Sequence, residues 1–243
     1  GDMLYQPQSR AWLSQSAAAL KQAGVTTLGF ELLRADQQES LDAYRDGRLS
    51  RAALLELLLR DNDGTLRESR RMAIEETLSA VDVANLAGLR VAALGLPREE
   101  EDAAFRALTG KGKKELSALG RARYLAALRE IKAPLERMHG DDLAERIESV
   151  LRADASARMV VLAWSGRLSR YSTAGRLAQS GLAPRTCGFQ FPEPNDFNAS
   201  LNRLGPAVRY SEYWAWVPLD RSSGMDAHQL APPPPPPPPP TKK

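Results

Sequence analysis

The chain has 243 residues, 43% of them hydrophobic, enough for one sizeable domain with a real core. Its 33 basic and 30 acidic residues leave a formal charge of +3, evenly spread and without a basic stripe among aromatics, which argues against a nucleic-acid surface. The single cysteine, Cys187, excludes an intrachain disulfide, a cysteine-based zinc site and a redox pair.

The longest apolar run, around residues 54–59, falls far short of the ~20 residues a membrane helix needs, and the start lacks the basic-then-apolar layout of a signal peptide. No membrane span is expected. The chain begins at Gly1-Asp2-Met3, and an export signal or a first strand is expected upstream of it.

Residues 8–22 place Trp12, Leu13, Ala18 and Leu20 at loosely helical spacing, with Gly24 as the stop. The stretch 25–31, Val-Thr-Thr-Leu-Gly-Phe-Glu, reads as a buried parallel strand ending in the carboxylate of Glu31. A helix followed at once by a strand is half of a βαβ unit, so the strand needs a partner before residue 1 or later in the chain.

Asp36 is placed to cap a helix over 37–45, which Asp46-Gly47 ends. Ser50 opens another, with Leu54, Leu57 and Leu58 on one face up to residue 60. After the Asn62-Asp63-Gly64 turn, Leu66, Ile74, Leu78 and Val81 carry a long helix to about residue 87. Residues 89–94 form the second strand, closed by Gly95-Leu96-Pro97.

The segment 99–108 reads as a helix and 110–114 as an exposed connection. A helix over 115–131 is expected to break near Pro134, with a second over 141–151. Residues 159–164 are the third strand, and a helix over 172–179 leads to a fourth over 186–191. A helix over 195–204 and a last strand over 210–217 follow. Alternating strands and helices predict an α/β fold of three αβα layers with a mainly parallel sheet and extra helices. In such sheets ligands bind at the carboxyl ends of the strands.

One domain is therefore expected over 1–220, with 221–243 as a proline-rich disordered tail. Its nine prolines, 232–240, are followed by Thr-Lys-Lys. Proline lacks an amide proton and has a fixed φ, so the run predicts a polyproline II rod of ~28 Å at ~3.1 Å per residue. It reads as a spacer, or as a ligand for a domain that reads polyproline II.

Few residues could carry chemistry. Glu31, at the end of a buried strand, reads equally as an acid, base or ligand and as a capping or salt-bridged residue. His139, beside Gly140 and Asp141, reads as a cap or exposed residue between helices, and His228 falls in the tail. Cys187 reads as a small buried hydrophobe within a strand. Gly110-Lys111-Gly112-Lys113-Lys114 lacks the preceding strand and the spacing of a P-loop.

The run Phe30-Glu31-Leu32-Leu33-Arg34-Ala35-Asp36-Gln37-Gln38, continuing to Gly47, resembles the segment after the second strand in the ChaN-like haem-uptake family. That family is grouped with the erythromycin-esterase-like and Tiki-like proteins. Residues 88–97 resemble its next strand and turn, Arg121-Ala122-Arg123-Tyr124 the arginine-containing helix start of the esterase-like branch, and 160–167 its strand before a histidine loop.

The resemblance implies a ChaN/erythromycin-esterase-like scaffold with Glu31, Arg10, Arg121 and Arg167 as site residues. The family's first Gly-Glu-x-His-like motif would lie upstream of residue 1, and Trp164 and Arg167 stand where its later histidines occur. Three functions follow from the resemblance. One is a hydrolase-like enzyme in which Glu31 is the acid or base and the arginines hold an anionic group. Another is a haem- or iron-binding uptake protein, periplasmic or at the outer membrane, in which Tyr124, Tyr171, Tyr210 or Tyr213 would supply a phenolate. The third, favoured here, is a bacterial type III virulence effector secreted into the host cell, acting on a host protein or small molecule, since some effectors of plant pathogens share the resemblance. No metal is assigned, and haem is the one cofactor implied.

Overall fold

Four residues, Thr27-Leu28-Gly29-Phe30, are buried in succession because their strand has a neighbour on each edge and helices over each face. The computed structural model of the chain describes residues 8–60, 68–163, 173–182, 184, 187–190 and 213–216. Strand β1 (Thr27–Arg34) is central, with β2 (Arg90–Gly95) on one side and β3 (Met159–Leu162) on the other, all parallel. The partners that the sequence asked for are thus later strands.

Side-chain alternation sends each strand's apolar residues to two different layers. Leu28, Phe30, Val91, Ala93, Val160 and Leu162 face α1 (Gln8–Gln22), α3 (Arg51–Arg60) and α4 (Glu68–Leu86), where Leu13, Leu54, Leu58, Leu78 and Val81 complete one core. Ala92, Leu94, Met159 and Val161 face the opposite way, onto Leu143, Ala144 and Ile147 of α7 (Arg121–Ala153) and Leu177 of α8 (Thr173–Gln179). The three-layer expectation is met by these two clusters.

Local signals explain the element ends. Gly24, with φ of 86°, takes the left-handed conformation that turns α1 into β1. The Ser50 hydroxyl accepts the Ala53 amide proton at 3.2 Å, so it caps α3 as read from the sequence. Asp36 does not cap the next helix; it sits in a 3-10 turn, Ala35–Gln37, and accepts the Arg34 guanidinium at 3.0 Å. Helix α2 (Gln38–Arg45) follows with no side-chain cap.

The region after β2 departs most from the sequence reading. Helix α5 (Arg98–Thr109) is as expected, but α6 (Lys113–Ala118) starts inside the supposed connection, and Gly112 is buried. Asp102 holds this turn by accepting the Lys113 amide at 2.8 Å and the Arg106 guanidinium at 2.9 Å. Helix α7 then runs unbroken through Pro134, and His139 lies within it, half-buried, not between two helices.

A proline costs a helix interior about 3 kcal/mol. Here α7 is anchored on both sides of it. Its first half packs Ile131, Tyr124, Leu128 and Leu135 on Phe105 and Leu116, while its second half packs on the sheet. The Thr173 hydroxyl donates to the Gly140 carbonyl at 2.9 Å, and Arg176 pairs with Asp141 and Glu145.

Strands β4 (Cys187–Gln190) and β5 (Tyr213–Trp216) form a separate parallel pair. The expected helix at 195–204, the turn at 62–64, His228 and the tail lie outside the described residues, as do the side chains of Cys187 and Tyr213.

Candidate functional site at the carboxyl end of the sheet

The pairing of β1 with β2 is regular from Thr27 opposite Arg90 to Phe30 opposite Ala93, then slips so that Arg34 lies opposite Gly95. Glu31, Leu32 and Leu33 therefore stand against the single residue Leu94. This is a bulge in the central strand, at its carboxyl half. Leu33 is buried in the same core as Phe30 although it lies three positions on, where regular alternation would turn it to the opposite face, and this is the alternation break a bulge produces. Glu31 and Leu32, at the break, are half-buried.

Gly95 permits the bulge. A Cβ there would press into the Glu31 carbonyl oxygen and come within 3.0 Å of that of Leu33, and backbone atoms cannot step aside as a flexible side chain can. The chain then leaves β1 over the end of β2. Arg34 donates its amide proton to the Gln37 side chain at 3.0 Å, and its guanidinium holds both carboxylate oxygens of Asp36, at 3.0 and 3.3 Å. Glu31 thus does not end its strand, as the sequence suggested; it sits within it, at the bulge.

Arg10 lies in α1, near its start, and Leu13 and Ala17 of that helix share a core with Leu28 and Phe30 of β1. Arg121 is the first residue of α7. Leu143, the first α7 residue in the sheet-facing cluster, comes 22 residues later, about 33 Å along a helix at ~1.5 Å per residue. The side chains of Arg10 and Arg121, and the whole of Arg167, lie outside the described residues. Of the tyrosines considered for haem, Tyr124 packs in the Phe105 cluster, and Tyr171 and Tyr210 are also outside them.

Sequence reasoning missed Gly95 and the bulge. The available signal was the Leu32-Leu33 pair, which cannot keep both residues on the Leu28 and Phe30 face of a regular strand. Also unforeseen was a polar cluster among the helices: the Tyr44 hydroxyl donates to Asp82 at 2.5 Å, and Arg51 donates to the other Asp82 oxygen at 2.7 Å. Burial pushes the Tyr44 phenol up to about 12, and the hydrogen bond and charge of Asp82 add to this. Asp102 is held below the usual carboxylate range by the Arg106 hydrogen bond first and the Lys113 amide second.

Among the described residues no group of three or more His, Cys, Asp or Glu side chains could hold a metal ion. Among them, too, no helix is long and apolar enough to cross a membrane. No family model matches the chain, and no curated protein does. A solved structure described as the type III effector HopBA1 is similar over 66% of this chain, with a TM-score of 0.43 and 14% identity. This chain spans 62% of that one.

Proposed function

We propose that the chain is a secreted bacterial effector whose ligand site lies at the carboxyl end of its parallel sheet, with Glu31 as the working carboxylate and hydrolase-like chemistry. The observation that carries the site is the bulge. A distortion in a central, otherwise regular parallel strand costs ladder hydrogen bonds, and such features gather next to active sites because they re-aim a side chain. Here the residues at the bulge are Glu31 and Leu32, opposite the close approach of Gly95.

Ligands of open α/β sheets enter at this end of the strands. A carboxylate there can take a proton from water as the water attacks an ester or amide carbon. Arg10, in α1, and Arg167, in the segment after β3, would supply positive charge to the developing oxyanion. The ChaN/erythromycin-esterase-like resemblance of residues 30–47 supports the same assignment and supplies the effector reading.

Expression of the protein and of Glu31→Gln in host cells tests both parts. The wild type should provoke a host response and the variant should not. The near-isosteric change should leave the thermal midpoint within ~2 °C, the shift expected of a substitution worth about 0.5 kcal/mol. A fully active Glu31→Gln protein removes the catalytic reading. A wild type that is silent in host cells removes the effector reading.

A further inference from the structure

Helix α7 carries an apolar stripe with one interruption. Ile131 and Leu135 pack in the Phe105 cluster, and Leu143 and Ile147 pack on the sheet. His139 stands midway, four residues after Leu135 and four before Leu143, and so shares their face of the helix. It is half-buried there, and its Nε2 atom is shut off from solvent. A titratable ring at the junction of two apolar cores is where packing alone would favour a leucine.

That junction lies at the carboxyl end of the sheet. Helix α7 ends just before β3 begins, and Asp154, which follows it, feels the charge of Arg90 at the start of β2, so its last turns lie at the amino end. Leu143, earlier in the helix, shares a cluster with Leu94 near the end of β2. His139 is one turn further, about 6 Å at ~1.5 Å per residue. The neighbouring Gly140 carbonyl accepts the hydroxyl of Thr173, the first residue of α8, and Arg146 holds Glu100 at the start of α5 at 2.7 Å. The chain leaving β2 and the chain leaving β3 thus both come to this stretch of α7.

Glu31 meets the same end from β1. Gly29 faces the α7 layer, since a Cβ on it would touch Leu94 and Val161. Phe30 and Leu33 both face the other core, which leaves the α7 side to Glu31 and Leu32 between them. Other charges on the elements packed around His139 have partners: Glu136 with Lys132, Asp142 with Arg146, Asp141 with Arg176, Glu101 with Lys113 and Arg34 with Asp36. Arg98 and Glu99 flank the start of α5.

We infer that His139 is a second catalytic residue of the Glu31 site, the acid that protonates the leaving group; this rests on the hydrolytic reading above. As Glu31 takes a proton from the attacking water, the water oxygen bonds to the carbonyl carbon. When the bond from that carbon to the leaving oxygen or nitrogen breaks, the departing atom keeps the electron pair and takes the proton of the His139 imidazolium. Exchange with solvent then removes the proton from Glu31 and restores the one on His139.

The test is a proton NMR pH titration of the imidazole C–H signals in the full chain, as wild type and as Glu31→Gln. The chain has two histidines, so His139→Gln assigns the signals and His228 is the internal reference. If His139→Gln does not fold, His228→Gln assigns the same pair. Removing a carboxylate charge from a shared site should weaken proton binding at His139 by ~3- to 10-fold and leave His228 unmoved. In host cells His139→Gln should be as silent as Glu31→Gln. An unchanged His139 titration in Glu31→Gln overturns the inference, whether or not Glu31 is needed for the host response. A coupled titration with a fully active His139→Gln protein overturns it too, because the imidazole would then share the site without acting. A coupled titration with an active Glu31→Gln protein sinks the hydrolytic reading instead, and the acid role with it.

Discussion

Phe30 and Phe105 are buried to nearly the same extent, 1% and 2% exposed, yet they sit in two differently built regions. Phe30 lies at the centre of the sheet, where α1, α3, α4 and all three strands converge on one continuous core. Phe105 belongs to a small annex of α5, α6 and the first half of α7, where, among the described residues, Leu116 and Ile131 are its buried companions. The annex is finished by polar contacts: Lys113 pairs with Glu101 at 2.8 Å and lies 5.8 Å from the centre of the Phe105 ring. Equal burial of a side chain does not mean equal weight in the fold; what matters is how many elements lose their packing with it.

The largest expected effect separates the two regions directly. Phe30→Ala should cost about 3–5 kcal/mol in global stability, read by chemical denaturation. Phe105→Ala removes the same atoms, but the annex should open by itself. Exchange should quicken through α5 and α6 while the amides of β1 to β3 keep their protection, and the global loss should be smaller by ~1 kcal/mol or more. Equal losses, with sheet amides exposed in both variants, would show that annex and sheet unfold as one unit.

A smaller change sharpens the sheet side. Gly95→Ala should cost about 1–3 kcal/mol, the range of overpacking, because its methyl group meets the carbonyl oxygens of Glu31 and Leu33 and not a movable side chain. The damage should appear at the ends of β1 and β2, with α5 and α6 untouched. An unaltered denaturation midpoint would mean that the bulge yields at little cost and is not held in place by Gly95.

The smallest effects should separate the regions by pH. The Tyr44 phenol titrates at about 12 in the folded chain against an ordinary 10.0, so the neutral form is favoured by folding. Its contribution is complete below pH 10 and falls away as pH rises from 10 to 12. Tyr44→Phe should lose about 1 kcal/mol at neutral pH, one net hydrogen bond, and should flatten that alkaline decline. In the annex the sign is opposite. Asp102 titrates below its ordinary 3.8, so its contribution is present above that value and is lost as pH falls through the lower folded one. Acid should therefore loosen the Gly112 turn before the sheet. If acid frees α3 and α4 first, the assignment of polar support to the two regions is reversed.

The alternation of apolar runs with helical periodicity was sufficient, by itself, to specify an α/β chain with strands over 25–31, 89–94 and 159–164, which overlap the three parallel strands of the sheet, because a strand covered on both faces must be largely apolar. The Ser50 cap and the Gly24 turn were equally legible, being set within a few residues of chain. Glu31 could be singled out as a carboxylate beside a buried strand, and the Leu32-Leu33 pair held an unused sign of the bulge. Tertiary structure alone decided the rest. Pro134 stays helical because packing on either side of it outweighs the missing amide, a balance that no local window contains. Gly95 faces the carbonyls of Glu31 and Leu33, and Gln38 reaches Val91 and Ala93, across more than fifty residues of chain. Short-range signals settle where elements start and stop, whereas the bulge at Glu31 and the bonds from Gln38 to β2 exist only once distant strands have met.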